Sequence, residues 1–374
     1  MSKYIDNVKV RSISDDLFFL KNCFLGALRY QFKPSEVALY NISGNSDLKK
    51  LGFSLSSFTL KKLRSYFNSR NASEFLTSRS QFVHWCSEHE IRCPENFGVI
   101  HKNVSRDEAE TEMDNIFHEI YSVKPSKLVI KASGKSHGDG CVFIEKITYN
   151  NGNIYATDSS GDTTLLRNIL KKYTEESSGD ISADEYLVQH EALAQLNPSS
   201  VNTVRVVTFL TEDGKVEIDG AVLRVGAKGS YVDSWRRGGI AAAVDLETGM
   251  VGRGIRVGEC RGGRWYKKHP DNDVLIEGTI LPEWHRVLIH AKQAAVSLPN
   301  ARWVGWDIVI TKEETVLLEG NSGWALPLML AHTRGHCPKN WKYRLSDPDL
   351  PIPRSYASGA KYFIRMLFQP SAFK

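Results

Sequence analysis

No run of eighteen apolar residues occurs in the 374-residue chain, and a bilayer-crossing helix needs roughly that many. The best candidate, Leu17 to Leu28, is interrupted by Lys21 and Asn22. The opening stretch MSKYIDNVKVRSISDD lacks the apolar centre of a secretory signal, so export by that route is not expected. Cysteine is sparse: Cys23, Cys86, Cys93, Cys141, Cys260 and Cys337 lie far apart and form no CxxC pair. That excludes a disulfide framework and suits free thiols in the cytoplasm. Neither sign of charge is in large surplus, since 48 basic against 43 acidic side chains leave only +5. So small a bias gives no reason to expect nucleic acid as a partner. Internal repeats and low-complexity runs are absent, and aromatics (10%) are spread throughout. These features exclude disorder for most of the chain, and its length predicts roughly two to three domains.

The periodicity predicts helices over Asp15–Arg29, Ser80–His89 and Asp107–Tyr121, the last with Met113, Ile116, Phe117 and Ile120 on one face. Ile91–Ile100 reads as extended. Strands are expected at LVIKAS (128–133), CVFIEKI (141–147) and NIYATD (153–158), with the tight-turn signal NNG before the last. A helix is expected over Thr163–Thr174 and a short strand at YLVQH (186–190). VNTVRVVTFL and KVEIDGAVLRV form a hairpin across EDG. Pro282 opens a helix with the stripe Trp284, Val287, Leu288, Ala291, Ala295 and Leu298. The strands WVGWDIVI and TVLLEGN follow, then a Pro- and aromatic-rich tail read as surface-wrapping.

Three groups carry chemistry. TKEET (311–315) joins two apolar strands. If Ile310 faces Val316, counting outward pairs Asp307 with Glu319, and period two puts Asn321 on the same face. Opposed carboxylates repel, so the pair either lies on a solvated hairpin face or holds a cation. An all-oxygen set suits Mg²⁺ or Mn²⁺ better than zinc. Lys131, in an apolar strand, precedes Gly134, Lys135, His137, Gly138 and Gly140. Such a stretch is an ordinary hairpin turn or a phosphate-covering loop. It is not a Walker A loop, because Val129 stands where the first glycine is required, and it does not continue as GxGxxG. Arg205 and Arg224 interrupt apolar strands and need partners. Those are either an internal bridge to Glu217 or Asp219, or a bound phosphate or carboxylate. Asp233, Arg236, Arg237, Gly238 and Gly239 form a turn suited to an oxyanion. His84, Cys86, His89 and Cys93 do not share a helix face and make a poor zinc set, while His332 and His336 read as a surface or substrate-side pair. Trp303, Trp306 and Trp324 read as core or cleft-wall residues.

Taken in order, NPSSVNTVRVVTF, VDSWRRGGIAAAVD and GWDIVITKEETVLLEGNSGW resemble the ATP-grasp superfamily of carboxylate–amine ligases, in its sugar-transfer-associated branch. The resemblance runs over about residues 75–335; its single motifs are weak and its ordered set is strong. It implies an α/β (α+β) chain of the ATP-grasp fold, with two antiparallel-sheet subdomains clamping ATP. The expected divisions are an N-terminal region over 1–122, a lid over 123–192, a metal-bearing subdomain over 193–340 and a tail over 341–374.

The resemblance also implies roles. Lys131 contacts the α and β phosphates, and Gly134 to Gly140 close over them. Val188 and Gln189 meet adenine, with Glu191 on the ribose. Arg205 and Arg224 hold the γ-phosphate and the acyl phosphate, and Asp307, Glu319 and Asn321 hold magnesium. Asp233, Arg236, Arg237, Gly238 and Gly239 face the acceptor. The family also places a lysine upstream; here that stretch reads TSRS, leaving Arg79 or Lys102 to serve. It often carries Asn where Ser234 stands and Glu where Gln189 stands. The activity implied is ADP-forming ligation of a small-molecule carboxylate to an amine, in the tailoring of a glycan or a sugar or amino-acid conjugate. The alternatives are an ATP-grasp phosphotransferase acting on a hydroxyl and a catalytically silent nucleotide-binding scaffold.

Overall fold

A computed structural model describes residues 21, 34–40, 56–133, 140–257, 263–333, 337, 341, 344 and 350. The chain divides into two compact units, one of 67–257 with 265–324, the other drawn from 1–66, 258–264 and 325–374. The expected Asp15–Arg29 helix, apart from Lys21, and most of the tail lie outside the described residues.

In the smaller unit, α1 (Pro34–Leu39) and α2 (Ser57–Phe67) are joined at Glu36. Its Oε1 accepts from the Ser57 backbone at 2.7 Å and the Ser57 hydroxyl at 2.6 Å. Val37, Tyr40, Leu60, Leu63 and Leu328 are buried, the last on α9 (Leu326–Ala331).

The larger unit holds two sheets. The first contains β1 (Asn96–Ile100), β2 (Leu128–Ala132), β3 (Cys141–Asn150), β4 (Asn153–Asp158), β5 (Thr163–Leu165) and β6 (Ile181–Glu185). Their spatial order is β1-β6-β2-β3-β4-β5, antiparallel throughout. Helix α5 (Arg106–Val123) covers it with Met113, Ile116 and Ile120. A reciprocal cap between Ser105 and Glu108 starts this helix one residue ahead of the expected span. Gly98 beneath it has φ +136°, and a Cβ there would lie 2.6 Å from Ile116. The NNG turn has Asn151 at φ 47° and Gly152 at φ 77°, the double positive φ of a primed hairpin turn. Because β1 pairs with β6, this sheet recruits chain ahead of residue 123, where the lid was expected to begin.

Two expectations need correction. Thr163–Leu165 pair with β4 as an edge strand, and the helix α6 begins only at Leu166, ending at Glu176. Two β-branched threonines favour the extended edge. YLVQH is not a strand; the strand is the preceding ISADE. β6 pairs with β1 and β2 up to Glu185, opposite Leu128 where β2 begins. Beyond that point the chain pairs with neither β1 nor β2.

The second sheet has the order β11-β10-β9-β8-β7-β12-β13. Its strands are β7 (Thr203–Leu210), β8 (Val216–Val225), β9 (Ile240–Val244), β10 (Val251–Arg256), β11 (Arg264–Tyr266), β12 (Trp303–Ile310) and β13 (Thr315–Asn321). Helix α8 (Trp284–Ser297) packs Val287, Ala291, Ala294 and Ala295 against Val204, Val206, Leu223 and Ile308. α4 (Arg79–Glu88) lies against the same core, with Trp85 stacked on Trp306 at 6.1 Å. Trp303, Trp306 and Trp324 are all buried core residues. The indole N–H groups of Trp303 and Trp306 donate to Asp219 (2.7 Å) and Thr208 (2.8 Å).

Candidate active site

The carboxylate hairpin forms, with a register that differs from the simple count. Ile310 pairs with Thr315, one residue short of the expected Val316, and a bulge between Asp307 and Ile308 restores Asp307 opposite Glu319. Leu318 is the extra residue. On its other side Asp307 pairs with Arg205 of β7. This register aims the guanidinium at the carboxylate, with Nε to Oδ1 and Nη2 to Oδ2 both at 2.6 Å. Arg224, from β8, donates Nη1 to Asp307 Oδ2 and Nη2 to Asp233 Oδ1, each at 2.6 Å. Asp233 Oδ2 accepts from the Thr203 backbone (3.0 Å) and the Thr203 hydroxyl (2.5 Å). The arginines thus bridge internally, to Asp307 and Asp233 and not to the expected Glu217 or Asp219.

Asp307 is 1% exposed. Burial alone would raise its pKa, but Arg205 and Arg224 hold it below the usual carboxylate range. Asp233 lies above that range, because burial and the Asp307 charge outweigh Arg224. Glu319 is also raised, by its desolvated setting in the site floor and by Asp307, although 54% of its side chain stays accessible. Its Oε1 accepts from the Asn321 amide at 3.1 Å and lies 3.9 Å from Arg205 Nη2. Among the described residues no three His, Cys, Asp or Glu side chains gather as a metal set. A Mg²⁺ ion typically takes one or two carboxylates plus substrate oxygens. The half-open, repelled Glu319 beside the Asn321 amide fits such an ion.

Across in the first sheet, Lys131 pairs with Cys141 and Ser182. Its ammonium lies 3.7 Å from Asp184 Oδ2. Asp184 is fully buried. Its Oδ1 accepts from Arg79 Nε (2.8 Å) and the Asn96 amide (2.9 Å), and its Oδ2 from the Ser182 hydroxyl (2.9 Å). Of the two upstream candidates, Arg79 joins Lys131 at this carboxylate. Lys102 instead donates to the Ser177 carbonyl at the end of α6, at 3.2 Å. The Cys141 thiol is raised by burial and acted on by Lys131, Glu319 and Asp184 together. Gly134, Lys135, His137 and Gly138 lie outside the described residues. Gly140, at φ 87°, is described, and its carbonyl accepts from the Ala132 backbone at 2.9 Å.

Val188 is 71% exposed in the connection between the sheets. The Gln189 side chain is spent locally. It donates to the carbonyls of Asn197 (2.9 Å) and Ser200 (2.6 Å) and accepts from the Asn202 backbone (2.9 Å). Glu191 opens α7 (Glu191–Leu196), and the His190 backbone donates to the Ile310 carbonyl at 2.7 Å. Sequence reasoning missed the Asn197 and Asn202 network. Both side chains are buried, and they bond to Gly226 O (2.8 Å) and Leu193 O (2.9 Å) respectively. The two asparagines bracketing NPSSVN were the available signal.

On the acceptor side, Trp235–Arg237 form a single 3₁₀ turn ended by Gly238 at φ 83°. A Cβ on Gly239 would lie 2.8 Å from both the Ser234 and Val225 carbonyls. Arg236 and Arg237 are exposed, the first with its guanidinium 5.8 Å from the Trp235 ring centre. Arg237 lines a cavity of about 360 Å³ with Cys141, Phe143, Asp158 and Tyr231. Phe143 and Tyr231 stack on each other in its wall at 5.2 Å, a pair that sequence reasoning also missed.

Residues 59–341 match the family described as sugar-transfer-associated ATP-grasp. Solved structures that align with the chain include D-alanyl-alanine synthetase A from Vibrio cholerae, at 12% identity and TM-score 0.40, covering 80% of this chain and 67% of that one. D-alanine–D-alanine ligase from Bacillus anthracis complexed with ATP aligns at 12% and 0.40, covering 84% and 75%. N5-carboxyaminoimidazole synthetase from Staphylococcus aureus complexed with ADP aligns at 10% and 0.38, covering 75% and 58%. No functionally curated protein matches the sequence.

Proposed function

The chain belongs to the sugar-transfer-associated ATP-grasp family, and from that premise we propose an ADP-forming ligase that joins a carboxylate to an amine through an acyl phosphate. The observation that carries this reading is the clamp of Arg205 and Arg224 on Asp307, beside the open carboxylate of Glu319. Carboxylates do not condense with amines in water. Phosphorylation by ATP supplies a leaving group, and two anions must first be brought together.

Lys131 and Arg79 neutralise the nucleotide phosphates in this reading. Arg205 and Arg224 stabilise the transferring phosphoryl group and then the oxyanion formed when the amine attacks. Asp307, Glu319 and Asn321 would hold Mg²⁺ or Mn²⁺, which supplies charge screening at the phosphates. Residues 123–192 act as the lid and 193–340 as the body. The segment Gly134–Gly140 excludes water, which would otherwise hydrolyse the acyl phosphate. Backbone groups at Val188 and Gln189 meet adenine, since the Gln189 side chain is already committed, and Glu191 reaches the ribose. Asp233 acts through Arg224, while Arg236, Arg237, Gly238 and Gly239 receive the acceptor. The aromatic pair at the Arg237 cavity suits a sugar-linked acceptor face. Free thiols at Cys86, Cys93, Cys141 and Cys337 suit action in a reducing cytoplasm. Among the described residues no helix is long and apolar enough to cross a membrane.

The test is incubation with Mg-ATP, hydroxylamine and a panel of carboxylates, including amino acids and uronic acids, reading ADP, AMP and hydroxamate together. ADP with hydroxamate is the expected result. ADP with a phosphorylated hydroxyl and no hydroxamate replaces the ligase with a phosphotransferase. Silence across the panel together with no ATP binding by calorimetry overturns the enzyme reading, whereas ATP binding without any product leaves the silent nucleotide-binding scaffold.

A further inference from the structure

Asp184 lies outside every motif that pointed to function, yet it gathers side chains from four elements. Arg79 comes from the first turn of α4, Asn96 from β1, Lys131 from β2 and Ser182 from β6 itself. A structural ion pair needs one cation for each anion. Here two cations share a single fully buried carboxylate, leaving a surplus of one positive charge. The surplus is directed outward. Arg79 is 10% exposed and bonded, whereas Lys131 keeps 30% of its side chain accessible and stands 3.7 Å from Oδ2, beyond hydrogen-bond length. Asp184 also fixes Arg79 against the helix it starts. The guanidinium donates to Asp184 and, through Nη2, to the Pro94 carbonyl at 3.2 Å. Further along α4, Trp85 stacks on Trp306 of the second sheet.

We propose that Asp184 is a positioning residue for nucleotide binding, orienting Lys131 and Arg79 toward the phosphates without touching the nucleotide. The inference rests on the ATP-binding reading above. It makes a prediction opposite in sign to simple charge counting. Removing a buried anion next to a polyphosphate site should tighten ATP binding by Coulomb's law. Removing a positioning group should weaken it, because a charge-assisted contact to phosphate that is no longer aligned is lost, about tenfold to a hundredfold in affinity.

The experiment titrates the full chain with Mg-ATP and, separately, with adenosine, for wild type, Asp184→Asn and Asp184→Glu, alongside thermal melts. Asn removes the charge and keeps the shape, while Glu keeps the charge and displaces it. Both variants are expected to bind Mg-ATP about tenfold to a hundredfold more weakly, with adenosine binding as in wild type. If Asp184→Asn does not fold, Asp184→Glu carries the comparison. Unchanged or tighter Mg-ATP binding in a folded variant overturns the positioning role while leaving the nucleotide reading intact. Failure of wild type to bind Mg-ATP overturns that reading, and this inference with it.

Discussion

Each sheet of the larger unit buries one aspartate against two cations, and the two clusters differ in the charge around them. In the first sheet, the ion pairs of Arg79 and Lys131 among the described residues both go to Asp184, so two positive charges against one negative leave +1. In the second, Arg205 and Arg224 face Asp307, Asp233 and Glu319. Two positive charges against three negative leave −1 when all are ionised. Similar ingredients thus prepare one side for an anion and the other for a cation. Because the charges are buried or half-buried, this contrast survives screening better than a surface pattern would. Under the proposed function, the complement of such a pair is a polyphosphate carrying a divalent metal.

The contrast can be broken at its strongest point first. Asp307→Ala strips Arg205 of its close carboxylate and leaves Arg224 with Asp233 alone, and removing one partner of a buried pair costs about 3–5 kcal/mol. Denaturant titration should show that loss, together with loss of ADP formation. Lys131→Met should leave folding nearly intact and weaken ATP binding about tenfold to a hundredfold, the worth of a charge-assisted contact, read by calorimetry. Glu319→Gln removes the repulsion with Asp307, so its melting temperature should be no lower than that of wild type. Mn²⁺ binding, followed by electron paramagnetic resonance, should fall by at least about tenfold, the loss seen when even an outer partner of a metal ligand is removed.

The smallest effect is in the acid limb. Asp184 is held below the usual carboxylate range, since Arg79 and Lys131 outweigh its burial. Its contribution to stability is therefore present above the unfolded value of about 3.9 and lost as pH falls through the lower folded value. Asp184→Asn should be less stable than wild type at neutral pH, with the gap narrowing below about pH 4.

The two clusters were unequally legible in the sequence. Asp307, Glu319 and Asn321 sit on one hairpin, where period two and a short loop suffice. Even there the count succeeded because two departures cancelled: pairing starts one residue closer to the turn, and the bulge at Leu318 returns it. Asp184 could not be read the same way. Its relation to Lys131 depends on β6 entering between β1 and β2, a long-range pairing that no local period encodes. The misplaced strand at 186–190 has the same origin, since YLVQH is the more apolar segment but ISADE has neighbours on both sides. Gln189 shows a third limit. A glutamine reads alike whether it meets a ligand or the backbone of a nearby turn, and here it bonds the NPSSVN turn. The long helices and the hairpin strands were legible, because burial on one face leaves a clear period.

The most direct test of the opposed surpluses is calorimetric titration of ATP with and without Mg²⁺, on wild type, Lys131→Met and Glu319→Gln. Lys131→Met should weaken binding in both conditions, because its charge meets the phosphates themselves. Glu319→Gln should weaken binding only when Mg²⁺ is present. Equal responses of the two variants in the two conditions would contradict the division of labour between the sheets.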